Sequence, residues 1–260
     1  MAAFQIPIER PEEIVPRLGK PELHWKKGRS AFELSHAWMN AKGIPASARS
    51  VLDQALEWRD AKLLDAIFER STALPGRGLA SQTDLLGIVS LKDGNAILSV
   101  EGKVDEPFGE VVGEWVGGPR HKEAGEAEGD FQARRERSQK NRVRRLDALC
   151  SLLEVDAKQV AGLYYQLFHR TCAAVYEAQR FRYPSAMMLV HSFAGHGAAP
   201  ETPLCFNEFK SFTEAVGMPV PVPESVSMPK RLGGVELRLG WVSDEPCSLP
   251  NQRIGASNRD

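Results

Sequence analysis

Apolar residues recur along this chain with two different periods, and the switches between them mark out helical and extended stretches. Ala31, Leu34, Ala37 and Trp38 follow Ser30 at helical spacing, which predicts a helix from Ser30 to about Lys42, capped by the serine and ended by Gly43. A second helical pattern over 48–68 carries Val51, Leu52, Ala55, Leu56, Leu63, Leu64 and Ile67, with a break near Asp60. Two runs rich in Leu, Ile and Val, 84–91 and 96–104, are separated by Asp93-Gly94, a hairpin signal. Helical spacing returns at Leu146, Leu149, Leu152 and Leu153. A stripe through Val160, Leu163, Leu167, Thr171, Ala174 and Ala178 then predicts a long helix over 157–181, stopped by Pro184. Residues 186–193 read as a buried strand, 206–216 as a short helix and 235–242 as a last alternating strand. Helices alternating with strands place the chain in the α/β class.

Between these segments the pattern fades. Residues 1–29 are rich in Pro and charge and read as an irregular arm, 117–140 as a charged loop, and 244–260 as a flexible tail. The expected organisation is a single domain over 1–260, with a helical region at 30–70 and a core at 71–243.

Composition narrows the function classes. Hydrophobic residues at 42% and charged residues at 26% are those of a globular protein, and no apolar run is long enough to span a bilayer. The start of the chain lacks a secretory signal pattern, so the expected location is cytoplasmic, without a membrane partner. Cys150, Cys172, Cys205 and Cys247 form no Cys-x-x-Cys pair, which argues against a zinc ribbon and for reduced thiols. Neither a Gly-x-x-x-x-Gly-Lys-Ser/Thr loop nor Gly-x-Gly-x-x-Gly nor Gly-x-Ser-x-Gly occurs, so a nucleotide cofactor and a serine-elbow hydrolase are both disfavoured. With a net charge of −1, any contact with nucleic acid needs a local positive field.

The most specific chemistry lies on the hairpin. Glu101 and Lys103 flank Gly102 and point to one face of an extended strand. If Asp93 and Gly94 are the two turn residues, Lys92 pairs with Asn95, Asp84 lies opposite Lys103, and Leu86 lies opposite Glu101. All three charged groups then share a face, an alignment that a one-residue slip destroys. Two carboxylates so placed can hold a hard cation, with Lys103 beside it to orient water or neutralise charge.

This pattern resembles the PD-(D/E)xK nuclease superfamily. The resemblance implies a restriction-endonuclease-like mixed sheet flanked by helices, with Asp84 and Glu101 as ligands of Mg²⁺ or Mn²⁺ and Lys103 as a catalytic partner. It implies a helical glutamine as well, for which Gln166 is the match, and an acid from the first core helix, for which Glu57 and Glu69 both qualify. Thr83 stands where the family motif has proline. The chain also resembles a bacterial family of unknown function through His24-Trp25-Lys26, Val100 to Gly109, Gln166 to Thr171 and Val190 to Phe193.

The expected function is metal-dependent hydrolysis of nucleic-acid phosphodiesters. The alternative is a nuclease-like fold without activity that binds nucleic acid or protein. A third reading is an interaction protein in which the arginine-rich segment only solubilises. Candidate nucleic-acid contacts are Arg142, Arg144 and Arg145 in that segment, with Arg170 one turn beyond Gln166. Gln166, Arg170, Ala173 and Glu177 share a helix face that meets either the hairpin or solvent. Asp105 and Glu106 are either a solvated strand end or groups supporting the site, and His191 is either a base or a hydrogen-bonded core residue.

Overall fold

The computed structural model describes residues 7–104, 106–194 and 205–247. Asp105, the glycine-containing loop at 195–204 and the tail from 248 lie outside the described residues.

In chain order the helices are α1 (Pro21–His24), α2 (Ser30–Asn40), α3 (Ala46–Leu52), α4 (Val112–Val116), α5 (Glu128–Leu153), α6 (Tyr165–Phe181) and α7 (Phe206–Ala215). The strands are β1 (Lys62–Thr72), β2 (Ser81–Leu91), β3 (Gly94–Lys103), β4 (Ser185–Ser192), β5 (Ser225–Val226), β6 (Lys230–Leu232) and β7 (Val235–Ser243). They form one seven-stranded sheet in the order β1-β2-β3-β4-β7-β5, with β6 also paired to β7. The pairs β1–β2 and β2–β3 are antiparallel, and β3–β4 and β4–β7 are parallel.

Alternation along the strands sends side chains to two separate cores. Leu85, Leu98, Val100, Met187 and Leu189 pack with Leu34 and Trp38 of α2 and Val51 and Leu52 of α3. Leu86, Ile97, Met188, Leu237 and Trp241 pack on the other face with Leu149 of α5, Leu167, Phe168 and Val175 of α6, and Phe209 and Phe212 of α7. The result is a mixed sheet flanked by helices on both faces, the architecture expected of an α/β chain.

Several boundaries differ from the expectation, each for a physical reason. The helical region at 30–70 ends early, because 62–72 form strand β1. Leu63, Leu64 and Ile67 imitate a helical face because the pairing slips between Leu63 and Asp65, which breaks the alternation of a regular strand. Within the expected charged loop at 117–140, residues from 128 onward belong to helix α5. Arg, Gln, Ala, Glu and Lys there are good helix formers, so the segment needs few apolar residues, and Phe131 and Gln139 fix it, the latter donating to the Gly117 carbonyl at 2.9 Å. The long helix starts at Tyr165 rather than Ala157, because Leu163 and Tyr164 are extended against Val111 and Val112.

Both ends of the described chain are also more ordered than expected. The arm contains a 3-10 helix at Pro11–Arg17 as well as α1. At the other end the Cys247 N–H donates to Glu33 at 2.6 Å, so 244–247 are held against α2. All four cysteines are free. Among the described residues, no helix is long and apolar enough to cross a membrane.

Candidate functional site

The hairpin turns one residue earlier than its sequence suggests, at Lys92-Asp93, so that Leu91 pairs with Gly94 and Ser90 with Asn95 and every partner moves by two. A two-residue shift changes the partners but keeps the face. Asp84 therefore stands across from Glu101 rather than Lys103, extending the register that ends at Leu85 and Val100. Its side chain shares the face of Leu86, and Glu101 and Lys103 share that of Ile97, so all three look toward α6.

Helix α6 crosses from β3 to β4 and turns its polar stripe onto this face. Gln166 donates from Nε2 to Glu101 Oε1 at 2.7 Å and accepts from Lys103 Nζ at 3.0 Å. Lys103 Nζ also pairs with Glu101 Oε1 at 3.0 Å and lies 4.9 Å from the Phe108 ring centre. One turn on, Arg170 donates from Nε to Glu101 Oε2 at 2.5 Å and from Nη2 to Asp84 Oδ1 at 3.5 Å. The remaining Asp84 oxygen accepts the Gly102 N–H at 2.9 Å. Gly102 suits its place because a Cβ there would meet Leu34 and Ser30 of α2 at 3.4 Å.

A third acid completes the row. Glu69 on β1 lies across from Asp84, between the pairs Phe68–Leu85 and Arg70–Thr83. Its φ of 54° is a left-handed conformation that a non-glycine residue holds at a cost of roughly 1–2 kcal/mol. Of the two acids that the sequence left open, Glu69 lines the site from a strand, whereas Glu57 pairs with Arg238. The signal that could have found Glu69 is its position one strand over and in register, which is readable only once β1 is recognised.

Three carboxylates, Glu69, Asp84 and Glu101, thus meet two cations, Lys103 and Arg170, in a cleft of about 580 Å³. Burial and the neighbouring Glu101 push Asp84 up to about 7. Burial, with Asp84 beside it, pushes Glu69 up to about 8. Burial acts on Glu101 in the same sense, but Arg170 and Lys103 outweigh it and hold this carboxyl below its usual range. At neutral pH Glu101 is ionised, Glu69 largely keeps its proton and Asp84 is divided between its two forms.

Oxygen donors of this type suit a hard divalent cation. In this arrangement they do not fit one, because the Arg170 guanidinium spans the two carboxylates and Glu101 has Gln166 and Lys103 on its other oxygen. Among the described residues, no group of three or more His, Cys, Asp or Glu is disposed to hold a metal ion.

A second concavity of about 690 Å³ lies beside the acidic one, and Trp115, Tyr165 and His169 line both. The Trp115 and Tyr165 rings stack at 3.5 Å between centres. Ser81 accepts from Arg170 at 3.3 Å and its hydroxyl is hydrogen-bonded to His169 Nδ1 at 2.8 Å. Burial and the nearby Arg170 lower the His169 pKa to about 3, keeping the ring neutral.

The arginines expected to touch nucleic acid separate. Arg142 and Arg145 line this second cleft, Arg170 is engaged with the carboxylates, and Arg144 is exposed on α5 outside both linings. Arg145 is held by the carbonyls of Leu79 at 2.6 Å and Pro75 at 3.2 Å. Gly78, with φ 133°, allows the loop to fold around it, since a Cβ there would meet the guanidinium at 3.1 Å. Glu106 accepts the Val104 N–H at 2.9 Å, fixing the end of β3. His191 faces the opposite side of the sheet, accepting from Trp38 Nε1 at 3.1 Å and lying 3.1 Å from Asp244, which is the role of a hydrogen-bonded core residue.

Residues 7–246 match the family described as a domain of unknown function, DUF6946, and the chain belongs to that family. No curated protein and no solved structure matches it.

Proposed function

We propose that this chain is a nuclease-like fold whose acidic centre is closed by its own arginine, and that it serves as a nucleic-acid-binding module rather than a phosphodiesterase. The observation that carries this reading is Arg170, whose guanidinium lies between Glu101 and Asp84, where the resemblance would put a metal ion. An internal cation removes the need for an external one, because a guanidinium satisfies carboxylate oxygens by charge and by directed hydrogen bonds together. The raised pKa values of Glu69 and Asp84 lower the average negative charge of the cleft further, which reduces the repulsion felt by a phosphate beside it.

The fold supports the nuclease-like half of the proposal. A three-stranded meander, β1–β2–β3, is followed by α6 and a strand, β4, parallel to β3, with the charged groups at the end of the hairpin beneath the helix. A second reading, metal-dependent hydrolysis by Asp84, Glu101, Lys103 and Gln166, is favoured by the convergence of these four groups. It requires Arg170 to leave.

Cleavage of single- and double-stranded DNA and RNA in Mg²⁺ and in Mn²⁺, with Lys103→Ala as control, separates the two. The binding-module reading expects no turnover above that of the variant. Metal-dependent cleavage lost in Lys103→Ala overturns it.

A further inference from the structure

The arginine-lined cleft holds more positive charge than its surroundings compensate. Arg77, Arg134, Arg137, Arg142 and Arg145 line it, and no Asp or Glu does among the described residues. Arg134 is committed to Glu126 at 2.7 Å. Among the described residues the other four pair with no carboxylate. Arg77 is exposed on the loop after β1, Arg137 donates to the Ala133 carbonyl at 3.3 Å, and Arg142 and Arg145 donate to backbone carbonyls. Carbonyls satisfy hydrogen bonds but leave the charge in place. In a chain of net charge −1, four uncompensated guanidinium groups around one concavity form a local anion-attracting field.

The shape and the wall narrow the anion. Arg145 is 6% exposed and Arg142 is half-buried, so both sit recessed behind the outer arginines. The phosphates of a rigid duplex lie on a convex cylinder and do not reach such a floor, whereas a flexible strand can sink to it. The wall offers the stacked Trp115 and Tyr165 rings, with the Arg142 guanidinium 5.2 Å from the indole. A basic groove with aromatic rings beside it is the combination that holds unpaired nucleotides, by phosphate contacts and by stacking.

We propose that this cleft is a subsite for single-stranded nucleic acid, with Arg77 and Arg137 drawing in backbone phosphates, Arg142 contacting the strand deeper inside, and the Trp115–Tyr165 wall taking a base. The proposal deepens the binding-module reading and rests on it. The acidic cleft then lies next to the bound strand across the Arg170–Ser81–His169 relay.

The test is fluorescence anisotropy with the full chain in EDTA over a NaCl series, using labelled DNA and RNA strands of about 12 nucleotides and the matching duplexes. Single strands are expected to bind about tenfold or more tightly than duplex. Arg77→Ala/Arg137→Ala, two changes at exposed side chains, should weaken single-strand binding about tenfold. The same pair should make the dependence of log K on log salt shallower by about 1.4, the release from two single-strand phosphates. Arg144→Ala should leave both quantities unchanged. Duplex binding as tight as single-strand binding, an unaffected double variant, or an equal loss in Arg144→Ala overturns the assignment while leaving a binding module standing. Absence of binding to every nucleic acid overturns both proposals, and Mg²⁺-dependent cleavage of a strand bound in this cleft overturns only the non-hydrolytic one.

Discussion

Helix α6 buries charge against the sheet at two places, and the two are built to different rules. Toward its C-terminus Glu177 receives Arg70 in a forked pair at 3.0 and 3.2 Å and the Thr72 hydroxyl at 2.8 Å, with the exposed Arg180 at 3.5 Å outside them and Glu177 and Arg70 at 2% and 5% exposure. Toward its N-terminus three acids share two cations beside an open cleft. One helix and one sheet face supply both, so burial alone does not distinguish them. Matched charge without access holds an edge strand to the helix, whereas surplus charge with access leaves carboxylates whose protonation responds to their surroundings.

The largest test of that difference is at the matched pair. Arg70→Ala leaves the Glu177 carboxylate buried, and a loss of about 3–5 kcal/mol in urea unfolding is expected. Arg70→Leu/Glu177→Leu removes both charges and should recover most of it. A double variant as unstable as the single one would mean that the pair does more than tie β1 to α6.

Arg170→Ala is the corresponding cut at the other cluster. About 2–4 kcal/mol of destabilisation is expected, less than at Arg70 because Lys103 stays 3.0 Å from Glu101 and water can enter the cleft, whereas the Arg180 left beside Glu177 stands farther off, at 3.5 Å. Adding Mn²⁺ should raise the melting temperature of this variant and leave the parent chain unchanged, since only the variant has carboxylate oxygens to offer. Equal stabilisation of both proteins would show that Arg170 does not hold the place of a cation.

The two clusters were also unequally legible in the sequence. Asp84, Glu101 and Lys103 could be placed on one face because strand alternation survives a register error of two. Gln166, Arg170 and Glu177 could be placed on one face because helical spacing is local. What periodicity cannot say is which element that face meets, so Arg170 read as a contact for nucleic acid when it is a partner of Glu101. Glu69 was hidden for a different reason. The irregular pairing of β1 gives its apolar residues a helical spacing, and the left-handed turn at Glu69 is decided by its neighbours across the sheet. The polar first half of α5 was hidden because helix-forming side chains without an apolar stripe look like a solvated loop.

Protonation sharpens the comparison further. Asp84 and Glu69 titrate near 7 and 8 in the folded chain, above their usual values, so the folded state holds protons that the unfolded state has released. Their contribution to stability is full below about pH 4 and is lost as pH rises through 7 to 8. Each proton involved gives a slope of at most about 1.4 kcal/mol per pH unit within that window. Asp84→Asn should therefore flatten the fall in unfolding free energy between pH 5 and 8, measured by urea titration at each pH. An unchanged profile in the variant would place the excess charge elsewhere.

The smallest effect is expected at Ser81, the link between the acidic cleft and the arginine-lined one. Ser81→Ala removes an acceptor for Arg170 and a hydrogen-bond partner for His169, yet both residues line clefts from which water can replace the hydroxyl, so a loss of about 1 kcal/mol or less is expected. Thr72→Val removes one hydroxyl from the matched pair, where Glu177 is shut away from water, and should cost about 1.5–3 kcal/mol. The ratio of the two losses, measured by urea unfolding under one set of conditions, reports how dry each cluster is. If Ser81→Ala proves as costly as Thr72→Val, the acidic cluster is as closed as the structural one, and the distinction drawn from its cleft collapses.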